Sequence, residues 1–198
     1  MPRTRRTQAQ RTTATRRTLV RRATRLFAQH GYAAVGTEQL VAACGLTRGA
    51  LYHHFDGKRG LFEAVVIEMQ SGIAREVEAA AASAHHLWEG IKLGCRAFIE
   101  ACARREVRQV LLVDATSVLG IERWRQIDAA HGLASLADGL RASIDAGVLP
   151  DQPVEPLARL ISGALNEAAL WLAERPRSAR RRADVLAAID RLLDRLVM

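Results

Sequence analysis

The chain has 198 residues, of which 49% are hydrophobic, 5% aromatic and 25% charged. This content is enough for a buried core, and abundant Ala, Leu, Arg and Glu without sustained apolar–polar alternation predict an all-α fold of about nine helices. The net charge of +8 is uneven, because residues 1–60 carry twelve Arg and Lys against two acids, whereas the remainder carries 17 basic and 19 acidic residues. This asymmetry predicts a polyanionic partner for the first third and a different task for the rest.

The cysteines and the apolar runs predict a reduced, non-membrane protein. Cys95 and Cys102 lie two turns apart on one predicted helix, about 10 Å along its axis, which is too far for a disulfide. The basic amino terminus has no apolar segment behind it, and the longest apolar run near the end is interrupted by Asn166 and Glu167. We therefore expect neither a signal peptide nor a membrane span, and a cytoplasmic location. His85 and His86 point about 100° apart on a helix, so no metal site is predicted.

The first predicted helix is strongly basic on one face. Residues 1–12, with four Arg among Thr and Gln, are expected to form a flexible arm, either solvated or in contact with DNA. A helix is predicted over 13–30 and ends at Gly31. Arg17, Arg21 and Arg25 share its polar face, which is either a solvated surface or a set of phosphate contacts.

Residues 35–61 have the pattern of a helix-turn-helix unit. Leu40 and Val41 fall at helical spacing, Gly45 interrupts that helix, and apolar positions resume at Leu51 and Phe55. Gly45 is suited to the left-handed bend, and Leu46 is expected to fill the angle between the helices. Thr47 is the predicted N-cap of the second helix, whose first residues meet base edges when such a unit docks in the major groove.

The stretch LVAACGLTRGALYHHFDGKRGL, residues 40–61, resembles the amino-terminal motif of the TetR family of one-component regulators. The chain departs from the family pattern where Cys44 replaces Ala, Val35 replaces Thr and Gly36 replaces Ser or Thr. Gly36 is still an acceptable N-cap, with Gln39 in the capping-box position.

The resemblance implies which residues contact DNA. Base contacts are implied for Arg48, Gly49, Ala50 and His53. Phosphate contacts are implied for Thr47, Tyr52, His54 and Lys58. Thr37 is a further expected DNA-binding residue. Arg can bridge guanine O6 and N7, and Tyr and His can donate to phosphate oxygens. Two alternatives stay open, since Tyr52 and His54 could instead pack against the fold, and Arg48 could hold a phosphate.

The next helices are predicted to enclose a ligand. They cover residues 58–82 and 86–103, a shorter stretch through 110–113 and, after a break at Gly120, residues 121–146. A largely apolar small molecule is expected between the fifth and seventh helices, since aromatic area and one titratable group converge there. The expected lining residues are Trp88, Cys95, Phe98, Trp124, Ile127 and His131. The alternative is an ordinary filled core.

Two amphipathic helices, over 154–175 and 179–197, close the chain. The TetR resemblance implies that they pair with their symmetry mates in a four-helix dimer interface, although a core-only role is the alternative. The expected interface residues are Leu157, Ile161, Leu165, Leu172, Ile189, Leu192, Leu193 and Leu196.

Together these features predict a DNA-binding arm and motif over residues 1–57 and a helical regulatory and dimerisation domain over 58–198. The expected protein is a homodimeric, ligand-responsive transcriptional regulator of double-stranded operator DNA, most simply a repressor released by a small molecule, with no cofactor. An enzyme is disfavoured because no phosphate-binding loop, HExxH motif or Cys–His–carboxylate set is present. An architectural DNA-binding protein would explain the basic third but not the charge-balanced, Trp-containing remainder.

Overall fold

The computed structural model describes residues 8–45 and 47–197, with side chains described from residue 15. Within these residues the fold is entirely helical and contains nine helices, so the all-α prediction is confirmed. They are α1 (Gln8–Ala34), α2 (Thr37–Cys44), α3 (Arg48–Phe55), α4 (Gly57–Ala82), α5 (Leu87–Ala103), α6 (residues 105–119), α7 (residues 121–145), α8 (Val154–Ala173) and α9 (Ala179–Asp194).

The first helix begins earlier than predicted. Residues 8–12 are expected in the basic arm, but α1 already includes them, because Gln, Ala and Arg favour helix and no Gly or Pro interrupts them. The predicted stop at Gly31 is confirmed as a kink, with φ 77° and ψ 161°. The remaining arm residues, 1–7, lie outside the described part of the chain.

Residues in the left-handed region separate the following helices. Gly45 has φ 66° and ψ 38° at the end of α2, as its position at the turn predicted. Asp56, with φ 56°, and Gly57, with φ 90°, divide α3 from α4. Leu46, the expected plug between α2 and α3, lies outside the described residues.

Helices α6 and α7 each contain a π-helical segment that helical periodicity did not predict. The segments are Arg108–Asp114 in α6 and Ala129–Leu133 in α7. A π turn holds an extra residue, so it rotates the faces that follow it. Gly120, with φ 86°, separates the two helices as expected.

Helices α1, α2 and α3 are joined to the rest of the chain by packed aromatic rings and by α6. Phe27, Tyr32 and Phe62 form one aromatic cluster between α1 and α4, with ring centroids 4.9–5.7 Å apart. The Tyr32 backbone N–H donates to the Asp114 carboxylate at 2.9 Å, and the Arg59 guanidinium donates to the carbonyl oxygens of Val118 and Leu119 at 3.3 and 3.2 Å. The carboxyl end of α6 is therefore held against α4.

Helix α4 connects the two parts of the chain, since it packs against α1 and α3 at one end and against α5 and α7 further along. Its buried side chains include Leu61, Phe62, Val65, Val66 and Ile73. No helix in the described residues is long and apolar enough to cross a membrane.

Candidate nucleic-acid interface and ligand cavity

Helices α2 and α3 form the predicted helix-turn-helix unit. Leu40 and Leu51 are fully buried and Phe55 nearly so, which fixes the inner faces of both helices. The Thr47 hydroxyl accepts a hydrogen bond from the Ala50 backbone N–H at 3.2 Å, so the predicted N-cap is confirmed. Gly36 is the N-cap residue of α2, also as expected.

The expected DNA-contacting side chains lie on or near the outer face of this unit. Thr47, Arg48, Gly49, Tyr52 and His53 are exposed, whereas Thr37, Ala50, His54 and Lys58 are half-buried. The Arg48 guanidinium lies 3.8 Å from the Glu38 carboxylate and 5.9 Å from the centre of the Tyr52 ring. Because both charges of this pair are largely exposed, the pair is weak and leaves Arg48 available to another anion.

Lys58 has contacts within the chain that its sequence position did not reveal. Its ammonium lies 4.0 Å from the centre of the Tyr32 ring. Burial lowers the pKa of the Lys58 ammonium, and the nearby Asp114 carboxylate opposes that shift. The phosphate contact of Lys58 therefore stays a prediction, beside an observed packing role at the junction of α1 and α4.

Two arginines of α1 that the sequence pattern did not single out hold the carboxyl ends of α2 and α3. Arg16 donates to the His54 carbonyl at 2.9 Å, and its guanidinium lies 4.3 Å from the centre of the Phe55 ring. Arg22 donates to the Ala43 carbonyl. Carbonyls in a last helical turn lack partners within the helix, so these cations satisfy groups that would otherwise bond to water. Arg16 and Arg22 thus orient the recognition unit from the first helix.

Gly60 places α4 close against the end of α3. A Cβ atom at this position would lie 1.6 Å from the Phe55 carbonyl oxygen, so only glycine fits without a backbone shift. This requirement arises from helix packing, and the local sequence around Gly60 gives no sign of it.

A cavity of about 510 Å³ lies among α4, α5, α7 and α8, in the region predicted for a ligand. Its walls are mainly apolar, from Ile73 and Val77 on α4, Ile91 and Phe98 on α5, and Leu136 on α7, among others. This volume matches the usual range for small-molecule sites. His85 and His86, which are exposed, contribute to its rim.

The structure brings only two of the six expected ligand-contacting residues to this cavity. Cys95 and Phe98 line the cavity, but Trp88, Trp124, Ile127 and His131 do not. Ile127 is buried in the core, and Trp88 and Trp124 pack against that core. On α7 the cavity face instead follows Asp128, Gly132, Ser135 and Gly139, because that face lies one position beyond the predicted one and runs through the π segment.

The titratable group that α7 contributes to the cavity wall is therefore Asp128, and not His131. Burial raises the pKa of the Asp128 carboxyl, while hydrogen bonding by Asn166, the charge of His131 and hydrogen bonding by Ser162 oppose that rise. Glu78 also lines the cavity and accepts a hydrogen bond from Ser135 at 2.8 Å. Gln70, only 5% exposed, lines the α4 wall.

Cys95 contributes a protonated thiol to the cavity wall. Burial raises its pKa to about 12, and the charge of Asp190 adds to that rise. Thiolates, and not thiols, react with oxidants and electrophiles, so Cys95 acts here as a small apolar surface.

The structure separates the expected dimer residues into two groups. Leu157, Ile161, Leu165, Leu172, Ile189 and Leu193 are at most 9% exposed within one chain, so their burial is explained by the chain's own core. The reason is that one apolar face of α8 and one of α9 pack against α5. Leu192 is 51% exposed and Leu196 half-buried, and the strongly exposed apolar residues nearby are Leu160, at 72%, Leu170, at 43%, and Trp171, at 41%.

Ion pairs between α5 and α9 fix which side of α9 is exposed. Lys92 pairs with Asp194 at 2.6 Å, Arg96 pairs with Asp190, and Glu100 pairs with Arg182 at 3.3 Å. These pairs hold one face of α9 against α5 and leave Leu192 on the outer surface.

Similarity to known proteins extends over both parts of the chain. Residues 19–65 match the family model described as bacterial regulatory proteins, tetR family, and residues 88–196 match the model described as tetracyclin repressor-like, C-terminal domain. A solved structure of a TetR-family transcriptional regulator from Pectobacterium atrosepticum is 36% identical, with 98% of each chain covered and a TM-score of 0.84.

Other matches are either lower in identity or cover less of the chain. RolR in complex with resorcinol is 15% identical, with 93% of this chain and 90% of that chain covered and a TM-score of 0.73, which supports the fold alone. The HTH-type transcriptional repressor AcnR of Corynebacterium glutamicum is 38% identical over 65 residues. That match spans 33% of this chain and 35% of AcnR, so the aligned part is about a third of either protein.

Proposed function

The chain belongs to the TetR family of bacterial regulatory proteins, and we propose that it is a cytoplasmic transcriptional repressor that binds a palindromic operator as a homodimer and is released by a small, largely apolar molecule. In this proposal residues 1–57 bind DNA, and residues 58–198 bind the effector and the second subunit.

One observation carries the proposal: a single helix, α4, begins beside an exposed recognition helix and ends in the wall of an apolar cavity. Gly57, its first residue, follows the last turn of α3, and its lining residues run from Gln70 to Ala82. A ligand that moves α4 would therefore change the position of α3. Release of DNA requires a coupling of only about 1–3 kcal/mol between the two sites.

Two polar contacts extend this connection to the helices around the cavity. Arg123, near the start of α7, donates to the Glu63 carboxylate of α4 at 2.6 and 2.8 Å. Arg59 of α4 holds the carboxyl end of α6, and α6 in turn accepts the Tyr32 N–H of the DNA-binding part through Asp114. A change in α7 at the cavity can therefore reach α4 through the Arg123–Glu63 pair, and α4 is in turn linked through α6 to Tyr32 in α1.

The proposed dimer surface consists of the exposed side chains of α8 and α9. Leu160, Leu170, Trp171 and Leu192 leave apolar area in contact with water in a single chain. Exposed Gly163, Ala164 and Ala188 lie among them, and small residues let two helices approach closely. A two-fold axis through this surface would present two equivalent recognition helices, which require two related half-sites.

The test is in vitro selection of DNA from a random library by the full-length protein. We expect an enriched two-fold symmetric sequence with two half-sites. Enrichment of no sequence would favour an architectural DNA-binding role, and a single asymmetric site would contradict binding as a dimer.

The same selection distinguishes base contacts from phosphate contacts. Arg48→Ala should relax the preference at one position per half-site, at a cost of about 1–3 kcal/mol, because a bidentate contact to guanine is lost. Lys58→Ala should weaken all sequences nearly equally and reduce the dependence of affinity on salt. If Arg48→Ala selected the same consensus sequence as the parent protein, Arg48 would not be a base-reading residue. Circular dichroism of both variants controls for loss of fold.

A further inference from the structure

We propose that the molecule bound by the cavity is a lipophilic amine, an apolar compound whose protonated nitrogen pairs with the Asp128 carboxylate. The inference rests on the proposed function for its physiological meaning, but it concerns the cavity itself and can be tested without DNA.

The charge of the cavity wall favours a cationic ligand over an anionic one. The lining residues include two acids, Asp128 and Glu78, and neither Lys nor Arg contributes to the wall within the described residues. An apolar carboxylate or phosphate placed in this cavity would therefore face two acidic side chains, and the only basic side chains in the described lining are His85 and His86 at the exposed rim. A buried charge without a partner is strongly unfavourable, so anionic ligands are disfavoured.

The environment of Asp128 leaves room for a further positive partner. Asp128 is half-buried, and burial raises the pKa of its carboxyl despite the polar side chains of Asn166 and Ser162 and the charge of His131. The charged form is thus incompletely compensated by the protein. A ligand cation beside Asp128 would supply the missing compensation and would favour the ionised carboxylate.

Gln70 provides an unused polar group on the facing helix α4. It is 5% exposed, lines the cavity, and its side-chain amide makes no hydrogen bond to the other described residues. Because Gln70 lines the cavity, water or a ligand there can bond to its side-chain amide. Gln70 can accept a hydrogen bond from a donor such as an ammonium, or donate one to a ligand oxygen.

The remaining wall determines the body of the ligand. Apart from Phe98, the two rim histidines and the polar groups Asp128, Glu78 and Gln70, the lining consists of aliphatic residues, Gly, Ser and Cys95, so it provides volume and apolar contact with few directional groups. A volume of about 510 Å³ fits a compound of drug size. Orientation would then depend on the pairing of one charged end with Asp128.

The experiment compares three compounds with one carbon skeleton, 4-phenylbutylamine, 4-phenylbutanol and 4-phenylbutyric acid, by isothermal titration calorimetry with the full-length protein and no DNA. We expect the amine to bind at least about tenfold more tightly than the alcohol, because a charged hydrogen bond in a partly buried site is added, and we expect the acid to bind most weakly. Equal affinities for amine and alcohol, tighter binding of the acid, or no binding of any of the three would overturn the proposal.

Two matched variants locate the preference. Asp128→Asn keeps the size of the side chain but removes its charge, so the preference for the amine over the alcohol should disappear. Asp138→Asn removes an exposed acid of the same helix, which pairs with Arg141 at 3.0 Å outside the cavity, and should leave the preference intact. If Asp128 only joined α7 to α8, Asp128→Asn would change stability and not the preference. Should Asp128→Asn fail to fold, Ala74→Phe, which narrows the cavity from α4, should abolish binding of the amine.

Failure of this inference and failure of the proposed function are distinguishable. If the alcohol binds best and releases operator DNA, the proposed ligand class is wrong and the proposed regulatory function is supported. If the amine binds through Asp128 and operator affinity does not change, the cavity is an amine site, but this ligand does not release the protein from DNA.

Discussion

Arg16 of α1 contacts the carboxyl end of α3 in two ways, through the His54 carbonyl and through the Phe55 ring. Both contacts hold the recognition helix against the first helix. They join residues 38 and 39 positions apart, so the local sequence around Arg16 gives no indication of them. The arginines of α1 thus include positioning residues as well as any that meet phosphate.

We predict that Arg16→Ala lowers the free energy of unfolding by about 1 kcal/mol, because a hydrogen bond and a cation–π contact are lost. Arg17→Ala is the control, since it removes the same charge from an exposed neighbour. Thermal unfolding of both variants and the parent protein measures the difference. Equal melting temperatures for the two variants would contradict the positioning role of Arg16.

The buried thiols lead to a prediction about reactivity. Burial raises the pKa of Cys95 and of Cys102 to about 12 in each case. Since only the thiolate reacts, modification of the native protein at pH 8 should be much slower than in denaturant, and should accelerate as the pH rises towards 12 rather than level off near 9. Labelling followed by mass spectrometry measures both sites. Labelling of native Cys95 as fast as in denaturant would show that the cavity wall carries a reactive cysteine.

At the scale of helices, the close approach of α3 and α4 depends on the absence of a side chain at Gly60. A Cβ atom there would lie 1.6 Å from the Phe55 carbonyl oxygen, whereas the nearest neighbour of a Cβ at Gly72, on the same helix, would be 3.9 Å away. Both glycines lie in α4, but only Gly60 has no space for a side chain.

We predict that Gly60→Ala destabilises the protein by roughly 3 kcal/mol and weakens DNA binding, because the end of α3 must move. Gly72→Ala should instead be neutral or stabilise by up to about 1 kcal/mol, as alanine favours helix. Denaturant unfolding provides the comparison. Two variants of equal stability would mean that α3 and α4 are not in close contact.

Rules that act between neighbouring residues predicted much of this fold. The turn at Gly45, the cap at Thr47, and the breaks at Gly31 and Gly120 depend on φ preference and on hydrogen bonds within a few positions. The cavity face of α7 was not predictable in the same way, because a π segment alters the helical period and only the packed structure contains it. The burial of Leu193 likewise depends on α5, which is distant in sequence.

At the scale of the whole molecule, charge and apolar area are segregated. The basic excess lies in the first third of the chain, the cavity lies in the helical remainder, and the exposed apolar residues of α8 and α9 lie at neither site. The proposed DNA-binding, ligand-binding and dimer surfaces are therefore distinct, so a single substitution should impair one of these activities without the others.

Two neighbouring leucines of α9 should distinguish loss of the dimer from loss of the fold. Leu192→Glu should leave the chain folded and convert a dimer into a monomer, since this side chain is 51% exposed in one chain. The adjacent Leu193→Glu should unfold the chain, since its side chain has no exposure and a buried charge is strongly unfavourable. Light scattering and circular dichroism distinguish the two results. A dimer that persists in Leu192→Glu would place the subunit contact elsewhere.

Thermodynamic coupling between the cavity and the recognition helix is the central claim, and reciprocity tests it most directly. The affinity of 4-phenylbutylamine, or of the tightest apolar binder found by thermal shift, is measured by calorimetry with and without a saturating amount of the selected operator. We predict that operator weakens ligand binding by the same factor, about 5-fold to 150-fold, by which ligand weakens operator binding. Identical ligand affinity in the presence and absence of operator would contradict the coupling.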